Sequence, residues 1–355
     1  MPGGRVDQLL AGFADGDAIS SEAVLMREVF RAQGFDSDIY VDPARIGRGV
    51  VASCRSIGEY DGGPADTVIY HYAIASAATD AFLGAKAAKI VRYHNITPAS
   101  FFDGYADQIA AQLRAGRDDL RRVCESAGLI LADSAFNASE LGALGLRNVR
   151  VVPLLFSPDR SGVAPDPRVL AKLGGPLRNI LFVGRMAPNK CVEELIRAFA
   201  WYNRTIDPYS RLVLVGSERS CPAYFSMLRF QAYVFELPNV CFEGFASAAG
   251  LAACYANADV FVCASEHEGY GLPLLEAMHH EIPVVAKDRG AVAETLGGAG
   301  VLYDGLTPRE LAELLHIVLT DASCRAEILR SQARRMAEVR ARDFGAELGE
   351  MMNAE

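Results

Sequence analysis

Residues 265–278 of the chain read SEHEGYGLPLLEAM, and two glutamates, Glu268 and Glu276, stand eight positions apart in it around a Gly-x-Gly-Leu-Pro turn. The run 258–263 before it has the pattern of a buried parallel strand, and residues 274–278 have that of the first turns of a helix. A strand, a glycine turn and a helix N-terminus bring backbone N–H groups and the helix dipole to one point. The segment therefore predicts an anion site.

The two glutamates have different predicted positions around this anion site. Glu268 follows the strand at its carboxyl end, where ligands of open α/β sheets bind. Glu276 lies inside the helix, where its carboxylate can reach a ribose diol. The layout suits a sugar nucleotide, with the diphosphate on the backbone amides and the hydroxyls on the two acids.

This segment resembles the Glu-x7-Glu motif of retaining glycosyltransferases, above all glycosyltransferase family 4, with its GT-B fold, of the bacterial surface-polysaccharide type. The resemblance implies a nucleotide diphosphate sugar as donor. It also implies a set of donor-binding residues, which are Gly184, Arg185, Lys190, Phe245, Glu268, Gly269, Tyr270, Gly271, Leu272 and Glu276.

A second motif follows the strand-like run 179–184, where the next loop carries the cations Arg185 and Lys190. A diphosphate leaving group gains negative charge as the glycosidic bond breaks, so fixed cations beside it stabilise the transition state more than the ground state. In the family, the equivalent pair contacts the diphosphate. This sequence departs from the family at the next position, where Cys191 replaces the usual glycine.

Length and composition indicate an ordinary globular protein with two domains. The 355 residues exceed the size at which one hydrophobic core usually stops growing, and the apolar and charged fractions are 51% and 22%. A net charge of −9 argues against sequence-independent nucleic-acid binding. The eight cysteines include no Cys-x-x-Cys pair, so we expect reduced thiols. Without a signal-peptide pattern or an apolar run of about 18 residues, a cytoplasmic location is expected.

Strand-like and helix-like runs alternate through both halves of the chain, which is typical of βαβ units and parallel sheets. A cluster of prolines and glycines between the halves indicates a linker. We therefore predict two doubly wound, Rossmann-like domains facing a cleft, with an acceptor-side domain at residues 1–160 and a nucleotide-sugar-binding domain at 179–340. The predicted linker is 161–178, and residues 341–355 are predicted to form a C-terminal helix that can cross back to the first domain.

The first half offers a glycine loop and two histidines. Residues 12–19 read GFADGDAI, so Gly12, Gly16 and Asp17 follow the opening strand and are candidates for the acceptor or cleft side. His71 and His94 each stand where a strand-like run ends. His94 resembles the family's cleft histidine that hydrogen-bonds the donor sugar, and His71 resembles a nearby position that shapes the acceptor side. The resemblance implies a catalytic set consisting of His94, Glu268, Arg185 and Lys190.

We expect no metal site and no cofactor beyond the donor substrate. Residues 36–38 read DSD but lie between a helix and the start of a strand, whereas a metal-binding pair belongs at a carboxyl end. The adjacent His279 and His280 point about 100° apart on a helix, so they rarely share one ion. Arg185 and Lys190 already supply the positive charge that a diphosphate needs.

The function implied by the resemblance is that of a metal-independent hexosyltransferase of polysaccharide biosynthesis, with a mannosyltransferase as first choice. GDP-mannose is the first expected donor and a UDP-hexose the second, and the acceptor is a hydroxyl of a glycan or lipid-linked glycan. Arginines in the C-terminal helices leave peripheral contact with an anionic membrane as an alternative to a solvated helix face. Two rival functions stay open, a sugar-nucleotide epimerase of the same fold and a non-catalytic partner that binds nucleotide sugar or glycan.

Overall fold

The computed structural model describes residues 4–47, 50–156 and 163–352. The chain divides into two compact units, of which the first comprises Met1–Ser100, Gln108–Leu155 and Asp343–Glu355, and the second comprises Phe101–Asp107 and Phe156–Arg342. Each unit contains one parallel sheet with helices between its strands, so the predicted pair of doubly wound α/β domains is confirmed.

The strands follow the predicted alternation with shifts of a few residues at their ends. They are β1 (Val6–Leu10), β2 (Ile39–Val41), β3 (Arg55–Ser56), β4 (Thr67–Tyr72), β5 (Ala88–Tyr93), β6 (Leu129–Ala132), β7 (Val149–Val151), β8 (Arg178–Val183), β9 (Ser210–Val215), β10 (Val240–Gly244), β11 (Val260–Cys263), β12 (Val284–Lys287) and β13 (Val301–Tyr303).

The helices lie between these strands and after the last of them. They are α1 (Ala18–Ala32), α2 (Ala77–Gly84), α3 (Asp107–Glu125), α4 (Ala135–Ala143), α5 (Pro167–Leu173), α6 (Val192–Trp201), α7 (Pro222–Val234), α8 (Ala248–Ala256), α9 (Leu272–His279), α10 (Val292–Leu296), α11 (Pro308–Thr320), α12 (Ala322–Arg340) and α13 (Phe344–Met352). Short 3₁₀ turns occur at Pro43–Arg45, Val51–Ser53, Ile57–Glu59, Ala99–Phe102 and Pro188–Lys190, and a π turn occurs at Tyr202–Ile206.

Each sheet has a point at which its strand order reverses. The first sheet has the order β3-β2-β1-β4-β5-β6-β7, so the direction of winding changes between β1 and β4. The second has the order β10-β9-β8-β11-β12-β13, with the change between β8 and β11. Ligands of such sheets bind at the carboxyl ends of the strands beside this reversal. A ligand site is therefore expected in the loops that follow these four strands.

Helix α1 shows how local sequence places the residues beside the first reversal. The helix begins after Asp17, whose carboxylate accepts a hydrogen bond of 2.9 Å from the backbone N–H of Ser20. Asp17 is therefore the N-cap, a position that aspartate favours. Glu22, in the second turn, lies on the buried face of the helix.

The segment predicted as a linker, 161–178, is part of the second unit over its described residues. It contains helix α5, which starts after Asp166, whose carboxylate accepts from the N–H groups of Arg168 and Val169. The prolines that suggested an irregular connection include Pro167 at the first helical position, where proline is well tolerated. Residues 161 and 162 lie outside the described residues.

The C-terminal segment belongs to the first unit. Leu348 of α13 is buried in a cluster with Val6, Met26 and Phe30, and the side chain of Gln33 donates to the carbonyl of Gly345 at 2.8 Å.

In the second unit, a large core cluster joins the inward faces of β8, β9 and β11 to α6, α7 and α11.

All eight cysteines lie within the described residues and are free thiols, as expected. Among the helices of the described residues, none combines the length and apolar character that crossing a bilayer requires.

Candidate functional site

The loops after β8 and β11 bring together a lysine and a glutamate of the two predicted motifs. The ammonium of Lys190 lies 2.6 Å from Oε1 of Glu268, and the side chains are only 15% and 13% exposed. The Ser265 hydroxyl donates to the same carboxylate oxygen at 2.7 Å. Burial by itself raises the pKa of Glu268, but the charge and hydrogen bond of Lys190 and the bond from Ser265 outweigh burial and lower it. Glu268 is therefore held as a carboxylate.

The backbone around Glu268 is fixed by the loop that follows β12. The carbonyl of Glu268 accepts from the N–H of Ala291 at 2.9 Å. Gly290 has φ +61°, and a Cβ at that position would lie 2.3 Å from the Glu268 carbonyl oxygen. Only glycine allows the two loops to approach so closely, so Gly290 fixes the position of the Glu268 backbone.

Glu276 occupies a different environment inside α9. The Tyr255 hydroxyl donates to Oε2 of Glu276 at 2.6 Å, and the Tyr255 ring stacks on His280 with centroids 4.9 Å apart. Burial raises the pKa of Glu276, and the hydrogen bond from Tyr255 opposes that rise only in part. The two glutamates therefore differ, because one has a cationic partner and the other a neutral one.

Helix α9 begins without a side-chain cap. Its N-cap is Gly271, at φ +93° in the left-handed region, and a Cβ there would lie 2.9 Å from the Leu274 side chain. In this first turn Pro273 has no N–H, and the Leu274 N–H bonds to the Gly271 carbonyl at 3.0 Å, which leaves the Leu272 N–H as the donor that can face an anion. Tyr270 contributes to this turn through its backbone only, since its ring is buried and its carbonyl accepts from the Thr295 hydroxyl. Leu272 is the first helical residue and is half-buried.

Arg185 differs from Lys190 in being exposed. Within the described residues, no ion pair or hydrogen bond engages its guanidinium. The strand end before it is tightly packed, because a Cβ on Gly216 would lie 1.8 Å from the carbonyl oxygen of Gly184. Phe245, one of the predicted donor-binding residues, follows β10 and is 51% exposed.

Cys191, which replaces the usual glycine of the family after Lys190, has an unusual backbone conformation. Cys191 adopts φ +49° and ψ +42°, which is the left-handed region where glycine has no steric cost. Its thiol is buried, donates to the Pro188 carbonyl, and has its pKa raised by burial to about 12. The chain therefore reaches the backbone geometry that the family's glycine provides, with a side chain in place.

A second cluster lies at the carboxyl edge of the first sheet, where polar side chains from four adjacent strands form one row. His71 Nε2 is 2.9 Å from Oε1 of Gln8, His71 Nδ1 is 2.8 Å from Nε2 of His94, and His94 Nδ1 is 2.9 Å from Oδ2 of Asp133. Strand register explains the row, since Gln8 pairs with Ile69, two positions before His71, and His71 pairs with Arg92. Alternate positions then share one face of the sheet.

Two further charged side chains, Arg92 and Glu22, are buried in this cluster. Arg92 donates through two nitrogens to Glu22, at 3.2 and 2.6 Å, and lies 3.1 Å from Oδ1 of Asp133. Ligand atoms of Glu22, His71 and His94 lie within 4.8 Å of one another, a spacing that a metal ion can use. Burial lowers the pKa of His71 far below its usual value, and the nearby His94 and Arg92 lower it further.

The structure shows the contacts of the five candidate residues of the first half, whose roles toward donor and acceptor stay predictions. Both ring nitrogens of His94 form hydrogen bonds within the protein, and its side chain is 2% exposed. His71 is buried and bonds to His94 and Gln8. Asp17 uses its carboxylate as a helix cap, and the Gly12 loop is pinned, with Phe13 N–H bonding to the Arg45 carbonyl at 3.1 Å. Gly16 adopts φ +70° in the turn before the cap.

The sequence reasoning missed Gln8, Glu22 and Arg92 and gave Asp133 no chemical role. The sequence does contain a signal for this cluster, namely a polar residue on the inward face of an apolar strand. Gln8 in β1 and Arg92 in β5 are such residues. A buried charge requires a partner, so such a residue predicts a second charged group nearby.

Several arginines of the C-terminal helices bond to other parts of their unit, so these helices do not present one continuous solvated basic face. Arg325 donates to the carbonyl of Asp259 at 2.7 Å, and Arg335 donates to the carbonyls of Thr295 and Glu294. Arg330 pairs with a neighbouring acid on the same helix. These contacts give several of the arginines a structural purpose within their unit.

Several known proteins resemble this chain in sequence. Residues 172–337 match the family described as Glycosyl transferases group 1. The chain is 32% identical over 237 residues to a D-inositol 3-phosphate glycosyltransferase of Kineococcus radiotolerans, covering 61% of this chain and 54% of that protein. It is 27% identical over 228 residues to a GDP-mannose-dependent alpha-(1-6)-phosphatidylinositol monomannoside mannosyltransferase of Mycobacterium tuberculosis, covering 59% of this chain and 57% of that one. The chain thus spans a little over half the length of these relatives.

A solved structure with the same fold is that of HepE from Anabaena, in complex with UDP and glucose. The TM-score is 0.74 at 17% identity, with 99% of this chain and 100% of that chain covered. At this identity the likeness concerns the fold alone, and it confirms the expected GT-B fold.

Proposed function

We propose that this chain, whose residues 172–337 match the group 1 glycosyltransferases, transfers a hexose from a nucleotide diphosphate sugar to a hydroxyl of a glycan or lipid-linked glycan. The observation that supports this most is the ion pair of Lys190 and Glu268 beside the reversal between β8 and β11, in the unit that also holds the exposed Arg185 and the uncapped start of α9.

The chemistry of this site suits a departing diphosphate. Arg185 offers an exposed planar guanidinium, which can form two parallel hydrogen bonds to phosphate oxygens. Lys190 offers a point charge that Glu268 already holds in place, so little ordering is needed when a phosphate arrives. The Leu272 N–H at the start of α9 supplies a further donor. These groups interact most strongly when the leaving group carries its full charge, which lowers the barrier to bond breaking.

Glu268 and Glu276 have separate proposed roles. In this proposal Glu276, with a neutral tyrosine partner, binds the ribose hydroxyls of the nucleotide. Glu268, held as a carboxylate by Lys190, accepts hydrogen bonds from hydroxyls of the transferred sugar. Configuration is retained, and the departing phosphate accepts the proton of the acceptor hydroxyl.

For the donor we propose GDP-mannose first and a UDP-hexose second. The Mycobacterium tuberculosis relative is named as GDP-mannose-dependent, which favours mannose. The Anabaena structure contains UDP and glucose, which keeps a UDP-hexose as the alternative. We further propose that no resident metal or organic cofactor takes part, since Arg185 and Lys190 supply the charge that a metal would bring.

Turnover of purified Arg185→Ala and Lys190→Ala with saturating donor tests the proposal. Each variant should lose roughly 10²–10³ in turnover, because each removes charge stabilisation that develops during reaction. Arg309→Ala is a suitable control, since Arg309 is an exposed arginine of α11 that pairs with Glu313 and lies over the Trp201 ring. Wild-type activity should persist in excess EDTA. Near-normal turnover in both site variants would refute the assignment, as would loss in EDTA that magnesium or manganese restores.

A further inference from the structure

The row Gln8–His71–His94–Asp133 contains three hydrogen bonds, and each must hold one hydrogen. The three donor–acceptor distances lie between 2.8 and 2.9 Å. The two histidine rings are almost coplanar, at 7°, and their centroids are 5.1 Å apart. That separation is the 2.8 Å nitrogen–nitrogen distance plus roughly the two ring radii, so the His71–His94 bond runs straight along the line between the rings.

Both ends of the row accept hydrogen bonds. The orientation of the Gln8 amide is fixed because its Nε2 donates to the Ala23 carbonyl at 2.9 Å, which leaves Oε1 facing His71. A flipped amide would place two oxygens against each other at Ala23. At the other end, the Arg92 guanidinium forms an ion pair of 3.1 Å with the Asp133 carboxylate. A carboxylate has no hydrogen to offer.

The three hydrogen bonds of the row need three hydrogens from the groups that form it. Two neutral imidazoles carry one N–H each, which makes two hydrogens for three bonds. The amide and the carboxylate supply none to this row. We therefore infer that His71 and His94 hold three protons between them, so that the pair forms a buried proton-binding site with one positive charge at neutral pH.

The charges that face the pair locate the extra proton on His94. Glu22 on α1 lies 3.7 Å from His94 Nε2, and Asp133 after β6 lies 2.9 Å from Nδ1, whereas His71 faces only the neutral Gln8 on its other side. The lowered pKa of His71 agrees with this placement. Glu22 and Asp133 are then balanced by Arg92 and the His94 imidazolium, and the cluster is neutral overall. A neutral cluster avoids the cost of an uncompensated buried charge.

A metal ion is a poorer explanation of the same group of side chains. Zinc needs about 2.0 Å to each nitrogen with the nitrogen lone pairs directed at the metal. Here His71 Nδ1 and His94 Nε2 are aimed at each other across 2.8 Å, which leaves room for a hydrogen only.

The third proton also decides what His94 can contact. With the proton present, both nitrogens of His94 are engaged and the ring is closed to ligand. Without it, two lone pairs face each other at 2.8 Å, one bond is lost, and the His94 ring can turn its Nε2 away. Gln8 and His71 are in this sense positioning residues for His94. Any effect on glycosyl transfer rests on the proposed function, but the proton count does not.

Nitrogen NMR on the full chain with ¹⁵N-labelled histidine tests the inference directly. The sequence has six histidines, and loss of signals in His71→Asn and His94→Asn assigns the pair. At pH 7, His94 should show protons on both nitrogens, and His71 a proton on Nε2 alone. On raising the pH, one proton should leave the pair in a single step.

Two matched variants at Gln8 separate the proton count from general damage, because both lose the bond to Ala23. Gln8→Met removes the acceptor for His71 Nε2–H, so the third proton should leave about one to two pH units lower than in the wild type. Gln8→Glu keeps an acceptor, and its step should not move to lower pH. A neutral His94 in the wild type at pH 7, an unmoved step in Gln8→Met, or one tightly bound metal per chain would each overturn the inference. The wild-type spectrum alone remains decisive if the variants do not fold.

Discussion

At the scale of single residues, the partner of each glutamate in residues 265–278 matters more than the eight-residue spacing between them. Glu268 contacts an ammonium and a hydroxyl, whereas Glu276 contacts a phenol. The spacing places both residues near the start of α9, but the partners come from distant parts of the chain. Lys190 precedes Glu268 by 78 positions, so no local pattern could reveal the pair.

The first residue-scale prediction separates the two acids by their ligands. Glu276→Gln should weaken binding of bare GDP or UDP about tenfold or more, because it removes a charged acceptor for the ribose. Glu268→Gln should leave bare-nucleotide affinity unchanged or higher, since Lys190 loses its competing partner, while turnover with the whole donor falls. Calorimetry and initial rates measure the two effects. Equal loss of nucleotide affinity in both variants would show that the roles are wrongly divided.

The second residue-scale prediction concerns stability and pH. Because the folded-state pKa of Glu268 lies below its usual value of 4.5, the Lys190–Glu268 pair stabilises the fold above that pH, and this contribution is lost as the pH falls through the folded-state value. Lys190→Met should lower the free energy of unfolding by about 2 kcal/mol at pH 7. The difference in free energy of unfolding between Lys190→Met and the wild type should narrow below pH 4.5.

Urea unfolding at several pH values measures this gap. Arg309→Met is the control, because it breaks an exposed pair with Glu313 that contributes little. A gap that stays constant from pH 7 to pH 4 would mean that the ionised Glu268 is not what Lys190 stabilises.

At the scale of elements, hydrophobic periodicity predicted the strands well and some helices poorly. The pattern of apolar side chains predicts a strand at Thr67–Tyr72, where β4 lies, and a helix at Pro308–Leu319, one residue shorter than α11. Helices α2, α4 and α8 were not predicted. They are short and rich in alanine, so they lack an apolar stripe that contrasts with a polar face. Packing on the sheet stabilises them, and a one-dimensional pattern does not contain that information.

The turn from β8 into α6 provides the element-scale prediction. Cys191 has a left-handed backbone, which costs a residue with a side chain about 1 kcal/mol relative to glycine. Cys191→Gly relieves that cost, whereas Cys191→Ala keeps it, and both lose the buried thiol. The glycine variant should therefore be more stable than the alanine variant by about 1 kcal/mol. Thermal unfolding of the two decides, and the reverse order would mean that the turn changes conformation when glycine is present.

At the scale of the whole molecule, the first unit depends on residues that are distant in sequence. Leu348→Ala should lower the free energy of unfolding by about 2–5 kcal/mol, since it leaves a cavity beside Val6, Met26 and Phe30. Leu144→Ala in the same unit is the control and should change it by less than about 0.5 kcal/mol, because Leu144 is 36% exposed. Circular dichroism in urea measures both. Equal effects would show that α13 does not stabilise the first unit.

The return of α13 to the first unit sets an order on synthesis at the ribosome. Residues up to Leu155 emerge first, yet the segment from Asp343 onward, which covers Val6, Met26 and Phe30, emerges only after all of the second unit. Domains usually fold in the order in which they are made. Here the domain that begins first is completed last, and its apolar surface stays uncovered while almost 190 further residues are translated. A nascent chain stalled before Asp343 should therefore bind chaperones that recognise exposed apolar surface, and a chain extended past Met352 should release them.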